Sequence, residues 1–527
     1  MKSIKNDFLT ELSTKEKLNQ LKTFFISFCM IIIAFGAKLV GNSYPSDDYF
    51  RIYNSENWYN QADRGRWFAS ILNSTIFNEG FFVLPYFSGI LGLFFVAASG
   101  LLTAKTWGVK NQITVGIVIL ITTISPFWAN NLFYSSNITV CIGAFLASLG
   151  FYLVSKRNLW RIGMFLFIIS FGIYQTIFQS VLIVSITLFI INLIKVESEK
   201  ELLTLVKKHS VFLIGVFGAF IVSQLISELI MLSNDIEILF GPYNHATRDI
   251  SFLKTLNKII YIFTSPSGFV GNFILKNVYF GIVTGLIVLI GLYSLAKEFM
   301  NKDKIIRFKL IIVLVIALFF LAGVIQMPTF LGVLMPIRSC FHFSIVIAFV
   351  AVVSLGDLKV RIRNSILILI ISYLLLSLGY ISKFYDLVNR QTQSDIIRVN
   401  QMVNNIRQHP DFNYSNNNKP TFQIIGRNKF SVTSDYTKLL KNTSINNGSN
   451  VITPSHIEFQ PFNADWSKYK IFEHFSDFRF NKITNERAEL IYKKILDNKV
   501  DVGEYPERNS IIFIDDVIVL ILDMDNN

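Results

Sequence analysis

Residues 160–194 read WRIGMFLFIISFGIYQTIFQSVLIVSITLFIINLI, and the way this stretch is divided decides the fold. The stretch is mostly apolar, and a helix needs about 20 apolar residues to cross the hydrocarbon core of a bilayer. It is therefore either one long span or two spans that meet at the interruption Gly172-Ile173-Tyr174-Gln175. The second division makes 160–171 a short helix that cannot cross fully, because a helix rises only about 1.5 Å per residue.

The composition is that of a polytopic membrane protein. Of the 527 residues, 52% are apolar and 50 are Phe, and the mean hydropathy is +0.46. No soluble globular domain needs so many apolar side chains. The net charge of +13 reflects basic cytoplasmic loops rather than nucleic-acid binding, because Lys and Arg collect in such loops. The three cysteines lie in apolar runs at spacings that match no metal site.

The distribution of Lys and Arg arbitrates between the two divisions of 160–194. With a cytoplasmic N-terminus and two crossings, the basic clusters at 195–208 and 297–309 face the cytoplasm, whereas a single crossing places both outside. We therefore predict an all-α polytopic protein with about eleven transmembrane helices. Besides the two parts of 160–194, the apolar runs lie near 23–41, 81–103, 112–129, 137–155, 209–232, 274–296, 308–327, 339–356 and 363–382.

This topology predicts three domains. Residues 1–22 form a cytoplasmic N-terminal segment, which is too polar for a cleavable signal peptide. Residues 23–383 form the transmembrane domain, in which the loop 42–80 faces away from the cytoplasm. Residues 384–527 are polar and form a small extracytoplasmic α/β domain, in which 384–408 is an amphipathic helix. Within it we predict a strand at 421–425, a helix at 486–497 and a hairpin of 511–514 with 517–522.

The first outer loop, 42–80, concentrates charge beside the membrane. It contains Ser46-Asp47-Asp48-Tyr49-Phe50-Arg51 and then Arg64-Gly65-Arg66-Trp67. Charge beside a bilayer is costly and marks a candidate functional site; the alternative is a solvated loop without a role. A helix over 67–77 either lies in the interface with Trp67 at headgroup depth or packs its apolar residues on neighbouring spans.

Glycosyl transfer from a polyprenyl-phosphate sugar fits these residue types. One carboxylate, Asp47 or Asp48, can take the proton of the attacking acceptor hydroxyl. The leaving group is a phosphate, which needs cations rather than a general acid, and arginine binds phosphate in a bidentate manner. The candidates for the donor phosphate are Arg51, Arg66, Arg338 and His342.

Other polar residues fall on the same predicted side of the membrane and are candidates for a substrate cavity. For Tyr174 and Gln175, packing is the alternative to sugar contact, and polar turns between spans are ordinary. Lys38 either reaches the headgroups with its long side chain or binds phosphate. The cavity candidates are Arg64, Trp67, Asn131, Tyr134, Tyr174 and Gln175.

The order of these motifs resembles a known family, the bacterial and phage glucosyltransferases of the serotype-converting type, which modify O-antigen and have the GT-C fold. The resemblance rests on the acidic first loop with its Gly-Arg-Trp, on Pro126 to Tyr134, on Gly172 to Gln175, on Arg338 and on the segment from Tyr505 to Val519. It implies a glucose or other hexose donor linked to polyprenyl phosphate, inversion at the anomeric carbon, and a first-loop Asp as base. Some GT-C enzymes hold a divalent metal at this loop, but no Asp-x-Asp spacing occurs here, so we predict no metal and no other cofactor.

The resemblance also implies the cellular setting. The enzyme would be a multi-pass protein of the bacterial cytoplasmic (inner) membrane, and its acceptor a surface glycan such as the O-antigen of lipopolysaccharide. A donor synthase and a flippase would be its pathway partners. The alternatives are a lipid-linked glycan polymerase or ligase and a flippase. A transporter usually places ionisable groups near the bilayer midplane, whereas the charges here collect at one face.

Overall fold

The computed structural model describes residues 15–41, 59, 61–76, 85–134, 137–234, 278–300, 302–330, 340–355, 360–412, 419–426, 468–497 and 502–522. The chain divides into two compact units. The first comprises Met1–Val40 with Ser55–Phe384, and the second comprises Gly41–Asn54 with Tyr385–Asn527.

The first unit is built from helices throughout its described ranges. A short 3-10 turn, Ala62–Arg64, precedes the third helix. The last helix continues into the second unit. In chain order the helices are α1 (Lys15–Ala34), α2 (Gly36–Val40), α3 (Trp67–Thr75), α4 (Pro85–Thr106), α5 (Gln112–Thr123), α6 (Pro126–Leu132), α7 (Ile138–Arg157), α8 (Trp160–Phe171), α9 (Thr176–Leu193), α10 (Glu199–Ser233), α11 (Val278–Met300), α12 (Lys304–Phe330), α13 (His342–Ser354) and α14 (Val360–Arg407).

Seven of the described helices are long and apolar enough to cross a bilayer, and an eighth span results if α5 and α6 are counted together. The seven are α4, α7, α9, α10, α11, α12 and α14. These helices make the chain a membrane protein. The predicted total of about eleven spans is not confirmed, because α8, α13 and the apolar part of α1 fall short of the required length.

The division of 160–194 into two helices is confirmed. Helix α8 ends at Phe171 and α9 begins at Thr176, with the interruption between them. The carbonyl of Gly172 accepts hydrogen bonds from the backbone N–H groups of Phe68 (2.8 Å) and Ala69 (3.3 Å). These N–H groups lie in the first turn of α3, where a helix leaves its amides without internal partners. The interruption in 160–194 thus doubles as the cap of α3.

Helices α5 and α6 meet at a bend of 52°, where the sequence predicts one straight span over 112–129. Pro126 begins α6, and the hydroxyl of Ser125 caps it by accepting from the N–H of Phe127 (3.3 Å). The hydroxyl of Ser344 in α13 donates to the carbonyl of Thr122 (3.2 Å). The bend is therefore stabilised both by its own cap and by a neighbouring helix.

Helix α14 is continuous over 48 residues. The sequence predicts a span at 363–382 followed by a separate amphipathic helix at 384–408. The structure joins them because residues 380–407 contain no Gly or Pro that would end the helix.

The second unit contains a four-stranded sheet in the order β2-β1-β4-β3. Strand β1 pairs in parallel with β2 and β4, whereas β3 and β4 form an antiparallel hairpin with Asp515 at φ 55° in its turn. Apolar clusters cover both faces of the sheet, so every residue of β4, one of its two inner strands, is buried. The elements are β1 (Thr421–Ile425), α15 (Lys468–Phe475), β2 (Asn481–Lys482), α16 (Asn485–Asp497), β3 (Ile511–Ile514) and β4 (Val517–Ile521).

Candidate active site

The Gly-Arg-Trp segment, which we define as residues 61–76, begins with a tight turn. Gly65 has φ +69°, a left-handed conformation that residues with a Cβ rarely adopt. Its N–H donates to the carbonyl of Ala62 (2.8 Å), and the N–H of Arg66 donates to the carbonyl of Gln61 (3.0 Å). The N–H of Gln61 in turn donates to the hydroxyl of Ser70 in α3 (2.8 Å). These bonds close the turn on the helix that follows it.

One face of α10 anchors the segment. The indole N–H of Trp67 lies 3.2 Å from the hydroxyl oxygen of Ser223, and the hydroxyl of Ser227 donates to the carbonyl of Ala62 (2.7 Å). One turn further, Met231 packs against Ala62 and Trp67. Residues four apart on a helix share a face, so Ser223, Ser227 and Met231 form one row, and this row fixes the position of the turn.

The α8–α9 junction is the second anchor. A Cβ on Gly172 would lie 2.3 Å from the indole nitrogen of Trp67, which no packed structure tolerates. Trp67 is 9% exposed and lies against this glycine. The tryptophan therefore packs against neighbouring helices, as one of the two predicted interpretations has it, and its position at headgroup depth stays a prediction.

Arg66 and Tyr174 meet where the two anchors converge. The guanidinium carbon of Arg66 lies 4.6 Å from the centre of the Tyr174 ring, within the range of a cation–π interaction. Tyr174 is 7% exposed, so its ring is held in place by packing. Stacking uses the face of a guanidinium, whereas its N–H donors lie in the plane of the group.

Arg64 and Gln175 flank this pair. The side chain of Arg64 is 66% exposed, with its Nε 3.8 Å from a carboxylate oxygen of Asp63. Gln175 is exposed, and its amide nitrogen lies 3.5 Å from Oε1 of Gln224 in α10. The structure therefore brings five predicted site residues into one group: Arg64, Arg66, Trp67, Tyr174 and Gln175.

Asn131 and Tyr134 belong to a second group around the α5–α6 bend. Both are buried. The carbonyl of Asn131 accepts from the side-chain amide of Asn137 (2.9 Å). Lys38 is only 3% exposed and donates to the carbonyl of Phe133 (3.1 Å). Its ammonium thus stabilises the end of α6, instead of extending to the headgroups.

His342 begins α13 and is fully buried. Its ring stacks on Phe343, with centroids 5.3 Å apart. The neighbouring Phe341 stacks on Trp128 of α6 at 4.6 Å. His342 therefore lies in an aromatic layer between α13 and the α5–α6 bend, and its assignment to the donor phosphate stays a prediction.

Four predicted residues, Asp47, Asp48, Arg51 and Arg338, lie outside the residues that the structure describes. Sequence reasoning also missed residues that the structure places at the first group. Asp63 directly precedes the quoted Arg64 and could have been counted as the third aspartate of the loop. The residues of α10, Ser223, Gln224 and Ser227, carry no motif and reach the site only through folding.

The fold and the first group define a multi-helix membrane protein in which an arginine-bearing loop is tied to the ends of its helices. The model of the family Glucosyl transferase GtrII matches residues 36–355, and the chain belongs to this family. The matched range includes the Gly-Arg-Trp segment, both of its anchors and the α5–α6 bend. Family membership implies that the chain is a glucosyltransferase, as its sequence resemblance indicates. Comparisons with curated proteins and with solved structures found no match.

Proposed function

We propose that the protein transfers glucose from a polyprenyl-phosphate carrier to a surface glycan such as O-antigen at the outer face of the bacterial cytoplasmic membrane. The observation that carries this proposal is the family match over residues 36–355. A lipid-linked donor is supported by the membrane-crossing helices, because such a donor presents its sugar at the bilayer surface. The N-terminus is cytoplasmic and the second unit extracytoplasmic in this proposal.

The donor phosphate is bound by arginines. Arg66 is one of them in this proposal, and its contact with the ring of Tyr174 supports a fixed plane for its N–H donors. A fixed plane suits bidentate binding of a phosphate, whose charge grows as the sugar leaves. Arg51 and Arg338 complete the set in this proposal.

The acceptor hydroxyl attacks the anomeric carbon as its proton passes to the carboxylate of Asp47 or Asp48. The bond between the anomeric carbon and the phosphate oxygen breaks, and polyprenyl phosphate leaves with that electron pair. Because attack and departure take place on opposite faces of the sugar, the configuration inverts. The lipid-linked sugar is a co-substrate, and the proposal includes no resident cofactor or metal. A donor synthase and a flippase supply the donor.

The donor class is tested with purified protein in lipid nanodiscs and the host's O-antigen as acceptor. The donors are polyprenyl-phosphate glucose and, in parallel, UDP-glucose. The proposal expects glucose in the glycan from the lipid-linked donor only. Transfer from UDP-glucose alone would refute the donor class, and absence of transfer from either donor would favour a polymerase, ligase or flippase.

A further inference from the structure

Three residues of the turn at Gly65 and of the chain segments that contact it each carry a buried polar atom that forms no hydrogen bond within the described part of the chain. These atoms are Oδ1 of Asp63, Nε2 of Gln224 and Oγ1 of Thr176. Asp63 is two residues before Gly65, Gln224 lies beneath the turn, and Thr176 follows Gln175 directly in the chain. The mechanism proposed above uses none of these three residues.

The two glutamines meet at the glycine. A Cβ built on Gly65 would lie 2.3 Å from Nε2 of Gln175 and 2.9 Å from Oε1 of Gln224. The amide groups are 3.5 Å apart. The contacts of Ser223 and Ser227 with the turn fix the rotation and height of α10, so the position of Gln224 is fixed as well. Glycine at position 65 leaves room for both amides.

This arrangement does not serve stability. A buried polar group without a partner destabilises the folded state, and three of them belong to this turn and to the segments beside it. Removing these groups would be favourable in a region that only had to pack. A ligand that supplies their hydrogen bonds accounts for their presence.

The types of the three atoms identify the ligand. A carboxylate oxygen accepts, an amide nitrogen donates, and a threonine hydroxyl does both. A ligand hydroxyl can donate to Asp63 and accept from Gln224, whereas a phosphate oxygen would be repelled by the carboxylate. The neighbouring Arg66 already supplies a cation for phosphate. The group therefore suits a sugar hydroxyl next to a phosphate.

We infer that Asp63, Thr176, Gln175 and Gln224 bind hydroxyls of the donor hexose and select that hexose. This inference rests on the proposed function, because it places the sugar of the lipid-linked donor beside the arginine that holds its phosphate. It makes α10 the specificity element, and Gln224 its principal residue.

The test compares kcat/KM for polyprenyl-phosphate glucose with kcat/KM for donors in which C2, C3, C4 or C6 of the glucose lacks its hydroxyl. The proteins are wild type, Gln224→Leu and Gln175→Leu. The control is Gln179→Leu, which removes an amide one turn further along α9, where its nitrogen donates to the carbonyl of Val324. Donor binding is followed in parallel as the rise in Tm that each donor causes.

Wild type should prefer glucose over at least one deoxy donor by about 10-fold or more, because a site built to bond a hydroxyl rejects the analogue without it. In Gln224→Leu this preference should largely disappear for the same deoxy donor, and Gln179→Leu should keep the ratio of wild type. If the effects of the substitution and of the missing hydroxyl on kcat/KM are not additive, the side chain and that hydroxyl are in direct contact.

If kcat/KM falls by the same factor for all donors in Gln224→Leu and Gln175→Leu, the inference is overturned. Glucose transfer by wild type would still support the proposed function in that case. A wild type that neither transfers glucose nor gains Tm with the donor would overturn both. Should Gln224→Leu fail to fold, the exposed Gln175→Leu decides alone, and a ratio equal to that of wild type would then contradict the inference.

Discussion

Arg66 stacks on Tyr174, with its guanidinium carbon 4.6 Å from the ring centre. Arg66 lies in the Gly-Arg-Trp segment and Tyr174 in the α8–α9 junction, where Gly172 packs directly against the indole of Trp67. The contact joins the Gly-Arg-Trp segment to the α8–α9 junction, and in the proposed function it positions the arginine that binds the donor phosphate. It is the most specific link between the fold and the proposed chemistry.

Replacing Arg66 should weaken use of the donor more than use of the acceptor. Arg66→Lys keeps the charge but loses the planar, bidentate donor set, and we expect kcat/KM for the donor to fall by about 10-fold. Arg66→Ala should cost about 100-fold or more. Steady-state kinetics with each substrate varied in turn measure both effects. Arg161→Lys, an exposed arginine in α8, is the control, and an unchanged donor KM in Arg66→Ala would remove Arg66 from the phosphate site.

Tyr174 acts through its ring in this account. Tyr174→Phe keeps a face on which Arg66 can stack and should retain most of the activity, whereas Tyr174→Leu should resemble Arg66→Lys in its donor KM. The same donor titration compares the two variants. A tyrosine hydroxyl that mattered more than the ring would reverse their order and contradict the stacking role.

Gly65→Ala should lower activity strongly without removing the protein from the membrane. The left-handed conformation costs an alanine about 1 to 2 kcal/mol, and its Cβ would displace the side-chain amide of Gln175. Gly218→Ala is the matched control, since nothing lies within 4 Å of a Cβ at this position in α10. Transfer rates normalised to the amount of membrane-inserted protein measure the effect. Equal rates for Gly65→Ala and Gly218→Ala would show that the turn can move without consequence.

Gly172→Ala should displace the indole of Trp67 and break its contact with Ser223. We expect increased protease sensitivity of the Gly-Arg-Trp segment together with reduced transfer, because the new methyl group would lie 2.3 Å from the indole nitrogen. Limited proteolysis of the intact protein compares it with Gly285→Ala, where a Cβ meets nothing within 4 Å. Identical cleavage patterns would contradict the anchoring role of this glycine.

The second unit should lose stability in mild acid through His474. Burial lowers the pKa of His474 below its ordinary value, so the folded unit resists the proton that the unfolded chain accepts. Stability is then unaffected above the unfolded pKa of about 6.5 and falls as the pH drops below it. Because the side chain is only half-buried, we expect less than about 1 kcal/mol at pH 5.5.

Amide hydrogen exchange in β1 and β4 of the intact protein, expressed as protection factors, measures this loss between pH 7 and pH 5.5. His474→Phe keeps a ring beside Phe475 and removes the titrating group, so it should flatten the pH dependence. A variant with the same slope as wild type would assign the acid sensitivity to other groups.

Local patterns predicted the elements of the fold better than their connections. Gly172 to Gln175 identified the α8–α9 break, and strand β1 and the β3–β4 hairpin were visible as apolar runs. The continuity of α14 was missed because a change in composition near residue 383 looked like a boundary, although no residue there ends a helix. The parallel pairing of β1 with β4 joins residues almost 100 positions apart, and no local pattern encodes such a pairing.

The residues of the candidate site also divide into those that local patterns predicted and those that they did not. Arg66, Trp67, Tyr174 and Gln175 stood out as polar or aromatic residues at predicted helix ends, and the structure brings them together. Gln224 and Ser223 could not be found from the sequence, because they lie inside an apolar helix and far from the loop along the chain. Ser223 and its partner Trp67, for example, are 156 positions apart. The burial of Lys38 was not foreseen, because it depends on the carbonyl of Phe133, which lies at the end of α6, where carbonyls have no partner within the helix.

The central claim is that a first-loop aspartate takes the proton of the acceptor during glucosyl transfer. The most direct measurement is the transfer rate from polyprenyl-phosphate glucose by purified wild type, Asp47→Asn, Asp48→Asn and the double variant, each checked for membrane insertion. A general base contributes roughly 10²- to 10⁴-fold, so at least one single variant and the double should fall by that factor. Full activity in both single variants and in the double would contradict the account.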